Sequence, residues 1–161
     1  NAEEIPIFIH NKTRFPSKIE FTESLFNELK KANADLLVLA GFMKKIPDEI
    51  VAHFERRMIN IHPSLLPKFG GKGFFGMNVH RAVIEMNENE SGASVHFVNT
   101  VYDDGPIVAQ SVIEVKVGES PEALAKRVLV EEHKLYPKVV KAFCENRILW
   151  ENNEPKIIEG N

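Results

Sequence analysis

The chain has 161 residues, of which 43% are hydrophobic and 27% charged, a composition typical of one globular domain. A net charge of -3 gives no basic excess, which argues against a nucleic-acid-binding or membrane-surface protein. The single cysteine, Cys144, cannot form an internal disulfide, which favours a cytoplasmic protein. The longest apolar run, residues 36–43, is far shorter than the roughly 18 residues of a membrane-spanning helix.

The first 62 residues alternate between strand-like and helix-like patterns. Ser17 and Glu20 match a capping box at the start of a helix. Residues 35–40 are almost continuously apolar, which is typical of a parallel strand covered on both faces. The patterns predict strands at 5–9, 35–40 and 58–62 and helices at 18–33 and 48–57.

The second half contains a glycine-rich loop, two strands and a long helix. Ser120 and Pro121 are an N-cap and a first-turn proline, and Pro137 is expected to kink or restart that helix. The predicted elements are a loop at 63–76, a helix at 78–88, strands at 93–98 and 107–115, a helix from 121 to about 146, and a small strand at 148–150. The short link between the two longer strands favours antiparallel pairing. The sequence therefore predicts an α/β domain with helices on a mostly parallel sheet.

The densest polar cluster begins where the strand at 58–62 ends. Asn60 and His62 are two residues apart, so their side chains point to the same face of a sheet. Open α/β sheets bind ligands at this end of their strands. A histidine there can act as an acid or a base, and an amide can donate to an oxyanion. The spacing fits equally well an amide that caps a turn beside an exposed histidine.

A second cluster is the turn Asp103-Asp104-Gly105-Pro106. These residue types are ordinary in turns, so the turn alone indicates no chemistry. A functional role requires one carboxylate to approach His62, where it would orient the ring and stabilise the imidazolium.

Other chemistries lack their residues. No G-x-S-x-G elbow accompanies a serine, and neither H-E-x-x-H nor paired cysteines indicate zinc. The run Gly70-Gly71-Lys72-Gly73 resembles a phosphate-binding loop only loosely. Its glycines are better explained as residues that make the loop mobile. The remaining histidines have no patterned partner and are interpreted mostly as surface or strand residues; they are His10, His53, His80, His96 and His133.

These motifs, in this order, resemble the phosphoribosylglycinamide formyltransferase family of purine biosynthesis, within the folate-dependent formyltransferases. The resemblance is carried by A-G-F-M at 40–43, N-I-H-P-S-L-L-P at 60–67, S-V-H-F-V at 94–98, D-D-G-P-I at 103–107, and E-H and Y-P at 132–133 and 136–137. It implies the three-layer, Rossmann-like formyltransferase fold, with a mostly parallel sheet, antiparallel C-terminal strands and a long C-terminal helix.

The resemblance also implies an activity and its ligands. It implies transfer of a formyl group from 10-formyltetrahydrofolate to the amine of glycinamide ribonucleotide in the cytoplasm, with no metal, nucleic acid or membrane involved. A homodimer is left open. The implied catalytic residues are Asn60, His62 and Asp103. The implied folate-binding residues are Met43, Lys44, Lys45, Ile46, Asn60, Val98, Asn99, Thr100, Val101 and Lys18, and the implied substrate-binding residues are Gly41, Asn60 and Glu132.

The chain departs from the family pattern in several places, one of which is Lys18, at about the position of a folate-contacting arginine of the family. The family starts with a strand and a G-x-G-S/T-N turn that grips the substrate phosphate, so residues 1–161 are expected to be a single formyltransferase domain without that segment. The loop after Pro67 is longer than in many relatives, and Leu129 stands where a polar substrate contact is expected. The alternatives are another folate-dependent formyltransferase, a formyltetrahydrofolate hydrolase, or a remnant that binds folate without catalysis.

Overall fold

The structure is a computed structural model that describes residues 5–160, and the chain divides between Asp35 and Leu36 into two compact units. The first unit contains a short 3-10 helix, Lys12–Arg14, and helix α1, Lys18–Lys31. The predicted capping residue is confirmed, because the Ser17 hydroxyl accepts a hydrogen bond of 3.2 Å from the Glu20 amide.

The prediction of a strand at residues 5–9 is wrong. These residues adopt no regular structure. Apolar character alone suggested the strand, but Pro6 lacks a backbone donor and therefore weakens any pairing there. Phe15 and Phe21 pack around His10, whose Nε2 lies 2.8 Å from the Phe21 carbonyl oxygen.

The second unit is built on a mixed four-stranded sheet in the order β1-β2-β3-β4. The strands are β1, Leu37–Leu39; β2, Met58–His62; β3, Glu90–Phe97; and β4, Ile107–Glu114. Strands β1 and β2 are parallel, while β2–β3 and β3–β4 are antiparallel. The expected antiparallel C-terminal strands are thus present, and the parallel pairing among the described residues is that of β1 with β2.

Three helices accompany this sheet: α2, Asp48–His53; α3, Met77–Glu85; and α4, Pro121–Cys144. Ser120 caps α4 by accepting a hydrogen bond from the Ala123 amide at 3.2 Å. Pro137 lies inside α4 without ending it, so the restart that the sequence suggested is wrong and the helix runs on from Pro121 to Cys144. Tyr136, just before the proline, and Val139, two residues after it, are buried in the core, and this packing favours one continuous helix.

The C-terminal residues form a hairpin of β5, Ile148–Glu151, and β6, Glu154–Ile157. The sequence predicted only the first of these strands. Asn152 and Asn153 both have positive φ angles, 50° and 64°, as a two-residue hairpin turn requires. Trp150 packs on Phe97 with ring centroids 4.8 Å apart.

The core joins α4 to the middle of the sheet. One buried cluster contains Ile59, Val95, Phe97, Tyr136 and Val139, and a second contains Val83, Ala93, Leu124 and Val128. The Tyr136 hydroxyl lies 2.9 Å from the carbonyl oxygen of Leu39 and 3.0 Å from that of Ile59. It therefore links α4 to β1 and β2 just before both strands reach the polar cluster.

Candidate active site

A cavity of about 550 Å³ opens beyond the carboxyl ends of β1 and β2. Because these strands are parallel, the residues that follow each of them meet at one edge of the sheet. Most residues that the resemblance implicates line this cavity: Gly41, Met43, Lys44, Lys45, Ile46, Asn60, His62, Val98, Asn99, Thr100, Val101, Asp103 and Glu132. Lys18 belongs to the first unit, where it begins α1, and its contact with folate stays a prediction.

His62 lies at the end of β2 with both ring nitrogens next to oxygen atoms. Its Nε2 lies 2.7 Å from the Phe69 carbonyl oxygen, and its Nδ1 lies 3.6 Å from Asp103 Oδ2. The ring is buried, so neither contact is shared freely with water. Nε2 donates to the Phe69 carbonyl oxygen, which can only accept, whereas 3.6 Å is too long for a direct hydrogen bond between Nδ1 and the carboxylate. The carboxylate instead lies near Nδ1 as an electrostatic partner that can orient the ring.

The Asp103 carboxylate joins the cavity to the glycine-rich loop. Its Oδ2 accepts a hydrogen bond of 2.9 Å from the Gly71 amide, and its Oδ1 lies 3.6 Å from His96 Nε2. The turn that carries Asp103 is tight: a Cβ on Gly105 would lie 1.8 Å from the Phe97 carbonyl oxygen. Glycine is therefore required two residues after Asp103, for a steric reason that the motif itself does not reveal.

His96 is a site residue that the sequence interpretation missed. It is directly opposite Asn60 in the β2–β3 register, and its Nε2 lies 3.2 Å from Asn60 Nδ2. Its Nδ1 donates to the Phe97 carbonyl oxygen at 2.9 Å, so Nε2 is free to accept from the Asn60 amide. Burial is the main cause that lowers the pKa of His96, and His62 adds to it; the Phe97 carbonyl and Asp103 oppose the shift. A neutral His96 therefore fixes the orientation of the Asn60 amide.

Two further titratable groups line the cavity. His80, on α3, is buried, and its Nδ1 has no hydrogen-bond partner among residues 5–160. Burial, and secondly the charge of His62, lowers the pKa of His80. Glu132, on α4, is half-buried, and burial raises the pKa of its carboxyl group, with His133 opposing the shift. No sequence pattern points to His80, because its burial depends on how α3 packs.

A buried network holds the turn that follows His62. The Ser94 hydroxyl donates to the Ser64 carbonyl oxygen at 2.6 Å and accepts from the Leu66 amide at 3.0 Å. Gln110 Nε2 donates to Ser94 Oγ at 2.7 Å and to the Leu66 carbonyl oxygen at 3.0 Å. Ser64 Oγ donates to the Lys68 carbonyl oxygen at 2.6 Å. The serine beside His62 is thus a structural residue of the turn, in agreement with the absence of a hydrolase motif.

The chain is similar to known proteins both in sequence and in structure. A family described as formyl transferase matches residues 1–140. The phosphoribosylglycinamide formyltransferase of Arabidopsis thaliana, named chloroplastic, is 48% identical over 97% of this chain and 54% of its own length. That of Escherichia coli is 37% identical over 86% of this chain and 63% of its own length. The crystal structure of glycinamide ribonucleotide transformylase 1 from Symbiobacterium toebii is 34% identical, with a TM-score of 0.83, and the match covers 92% of this chain and 68% of that one.

The chain spans about half the length of the curated plant relatives that it matches. The structural agreement confirms the predicted formyltransferase fold with its long C-terminal helix. None of the helices within residues 5–160 combines the length and apolar character that crossing a membrane requires.

Proposed function

Because the chain belongs to the formyl transferase family, we propose that it transfers a formyl group from 10-formyltetrahydrofolate to the amine of glycinamide ribonucleotide, a step of purine biosynthesis. The observation that carries this proposal is the meeting of Asn60, His62 and Asp103 at one cavity. The relatives named as phosphoribosylglycinamide formyltransferases support the choice of substrates.

In the proposed reaction the nucleophile belongs to the substrate. The amine attacks the formyl carbon, so a carbon–nitrogen bond forms and the carbonyl becomes a tetrahedral oxyanion. The bond from this carbon to the folate nitrogen then breaks, and the proton lost by the amine ends on that nitrogen. No serine or cysteine of the protein is needed, which agrees with the structural role of Ser64.

We assign each member of the trio one task. Asn60 donates an N–H to the oxyanion while its other N–H is held by His96. His62, protonated, becomes a second donor when its Nε2 turns from the Phe69 carbonyl oxygen to the substrate, and it carries the proton. Asp103 holds His62 in place and helps the proton to move from the amine to the leaving nitrogen.

The cavity has walls for both ligands. We assign the folate ring to residues 43–46 and 98–101, which line the cavity with both apolar and polar residues. We assign the glycinamide part of the substrate to Gly41 and Glu132, which line the same cavity. The half-buried carboxyl group of Glu132 is suited to accept from the ribose hydroxyls or the amide.

The test is a transfer assay on the full-length protein with both substrates. Removing the Asn60 amide by Asn60→Ala should lower turnover about 10²–10³-fold, as for other oxyanion donors. His62→Ala should lower it about 10²–10⁴-fold, as for a general acid–base group. His53→Gln changes an exposed histidine on α2 and should keep full activity. Turnover near that of wild type in either trio variant would refute the assignment.

The same assay, together with separate titrations of the two ligands, distinguishes the alternatives. Release of formate without formylated substrate would indicate a formyltetrahydrofolate hydrolase. Folate binding without nucleotide binding would indicate a non-catalytic remnant.

We also propose a cytoplasmic location, although the plant relatives are named chloroplastic; cell fractionation tests it.

A further inference from the structure

Three side chains form a row across the sheet, and the catalytic histidine is the first of them. In the strand register, His62 on β2 is directly opposite Ser94 on β3, and Ser94 is directly opposite Gln110 on β4. Side chains that are directly opposite each other on adjacent strands point to the same face of a sheet. Ser94 and Gln110 therefore lie on the face that carries His62, although the cavity lining, as residues 5–160 form it, includes neither of them.

The Ser94 hydroxyl is the centre of this row. It is 0% exposed, and it donates its single proton to the Ser64 carbonyl oxygen at 2.6 Å. It also accepts from the Leu66 amide at 3.0 Å and from Gln110 Nε2 at 2.7 Å. Because a hydroxyl has one proton and two lone pairs, every hydrogen-bonding position of Ser94 is filled.

Gln110 is an exposed residue whose amide reaches buried partners. Besides Ser94, its Nε2 donates to the Leu66 carbonyl oxygen at 3.0 Å. A carbonyl oxygen can only accept, so the amide nitrogen of Gln110 and not its amide oxygen must face Leu66. Gln110 thus holds the Leu66 carbonyl directly and the Leu66 amide through Ser94.

The turn that is held in this way supplies the acceptor for the catalytic histidine. Leu66 lies three residues before Phe69, whose carbonyl oxygen accepts from His62 Nε2 at 2.7 Å. Ser64 Oγ donates to the Lys68 carbonyl oxygen at 2.6 Å, which ties the start of the turn to the residue before Phe69. Phe69 has a φ angle of 56°, which bulky residues rarely adopt, so the surrounding hydrogen bonds must hold it there.

We propose that Gln110 is a positioning residue for the reaction: by holding the turn at Leu66, it keeps the Phe69 carbonyl oxygen where it fixes the proton of His62 on Nε2. The kinetic part of this inference rests on the proposed formyl transfer. The nitrogen that carries the proton of a neutral imidazole is set by the hydrogen bonds of the ring. A loosened turn therefore leaves the proton on the wrong nitrogen in part of the molecules, which lowers turnover and not binding.

The kinetic experiment measures kcat, and KM for both substrates, on the full-length protein with Gln110→Leu. This variant removes both donated hydrogen bonds, so kcat should fall about tenfold, as for the loss of an ordinary hydrogen bond, with both KM values unchanged. Gln110→Glu keeps the size, cannot donate when ionised, and should lose at least as much kcat; it decides the test if the leucine variant does not fold. Val112→Ala changes an exposed residue on the same strand and should alter nothing.

A double-mutant cycle distinguishes positioning from a general structural role. If Gln110 acts through His62, adding Gln110→Leu to His62→Ala should lower kcat by less than about twofold, because the two effects are not independent. A further tenfold loss in that background would overturn the inference. A change confined to KM, or wild-type kinetics in Gln110→Leu, would overturn it as well.

Nitrogen-15 NMR of the imidazole rings tests the same inference without catalysis. The His62 signals are those missing from His62→Ala. At alkaline pH, Nε2 of wild-type His62 should carry the proton, and in Gln110→Leu the shifts of the two ring nitrogens should move toward each other. Unchanged His62 shifts in Gln110→Leu would overturn the inference whatever the transfer activity. If the protein transfers no formyl group, this measurement alone decides whether Gln110 positions His62.

Discussion

Asp103 combines its proposed chemistry with an uncommon backbone conformation. Its φ angle of 53° lies in the left-handed region, which aspartate and asparagine tolerate better than most residues. Asp103→Asn therefore removes the charge and keeps the conformation. We expect at least about a hundredfold loss of turnover with nearly unchanged free energy of unfolding.

Asp103→Ala should lose a similar amount of turnover and also destabilise the fold, by about 1 kcal/mol of left-handed backbone cost. Steady-state kinetics and urea unfolding of both variants check this. An asparagine variant with wild-type turnover would remove Asp103 from the catalytic trio.

His96 is expected to act through Asn60. His96→Leu removes the acceptor at 3.2 Å, so the Asn60 amide can rotate away from the oxyanion. We expect turnover to fall about tenfold, which corresponds to one ordinary hydrogen bond. His96→Gln supplies another acceptor and should recover part of the loss without a change in KM for folate. If leucine and glutamine behave alike, His96 has a packing role only.

Individual site residues could be predicted from the sequence where their placement depends on neighbouring residues alone. Two-residue spacing on one strand was enough to place Asn60 and His62 on one face, and both line the cavity. The approach of Asp103 followed only from the resemblance. His96 was missed because its partner is set by the register between β2 and β3, which no single segment encodes.

At the scale of elements, Tyr136 ties α4 to the two strands that lead to the site. Burial raises the pKa of Tyr136 well above its usual value, so the hydroxyl stays protonated and available to the Leu39 and Ile59 carbonyl oxygens. Tyr136→Phe leaves both oxygens without this donor. We expect a loss of about 1–3 kcal/mol in the free energy of unfolding, measured in urea. Tyr102→Phe, at an exposed position, should cost nothing measurable.

Element prediction was reliable where a run had both a clear pattern and clear ends. The strand at 58–62 was predicted with its observed bounds, and the helix starting at Pro121 was marked by its cap. The run at 5–9 was apolar but lacks a strand, since strand formation also needs a partner backbone. Strand β6 was missed because its polar sequence becomes a strand only by pairing with β5.

At the scale of the whole molecule, the buried histidines couple stability to pH. The pKa values of His80 and His96 are lowered, chiefly by burial, so below their ordinary value of 6.5 the unfolded chain takes up protons that the folded chain does not. Stability should therefore fall as pH drops below about 6.5, in the direction that linkage requires.

Thermal unfolding between pH 7 and 5 measures this effect. His80→Gln should show a smaller fall in Tm over this range than wild type, because one of the two groups is removed. Glu132 changes stability with pH in the opposite direction, because burial raises the pKa of its carboxyl group. The test therefore compares the fall in Tm between the two proteins and does not interpret the slope of either curve alone. Parallel curves for wild type and His80→Gln would contradict the expectation.

The packing of Trp150 has an optical consequence. It is the only tryptophan of the chain, its ring lies against Phe97, and the Arg56 guanidinium stands 4.2 Å from the ring centroid. Phe97 immediately precedes the loop at 98–103 that lines the cavity. Tryptophan fluorescence therefore comes from a single indole in one defined environment. Its emission reports directly on whether the hairpin is seated against β3, without any attached label.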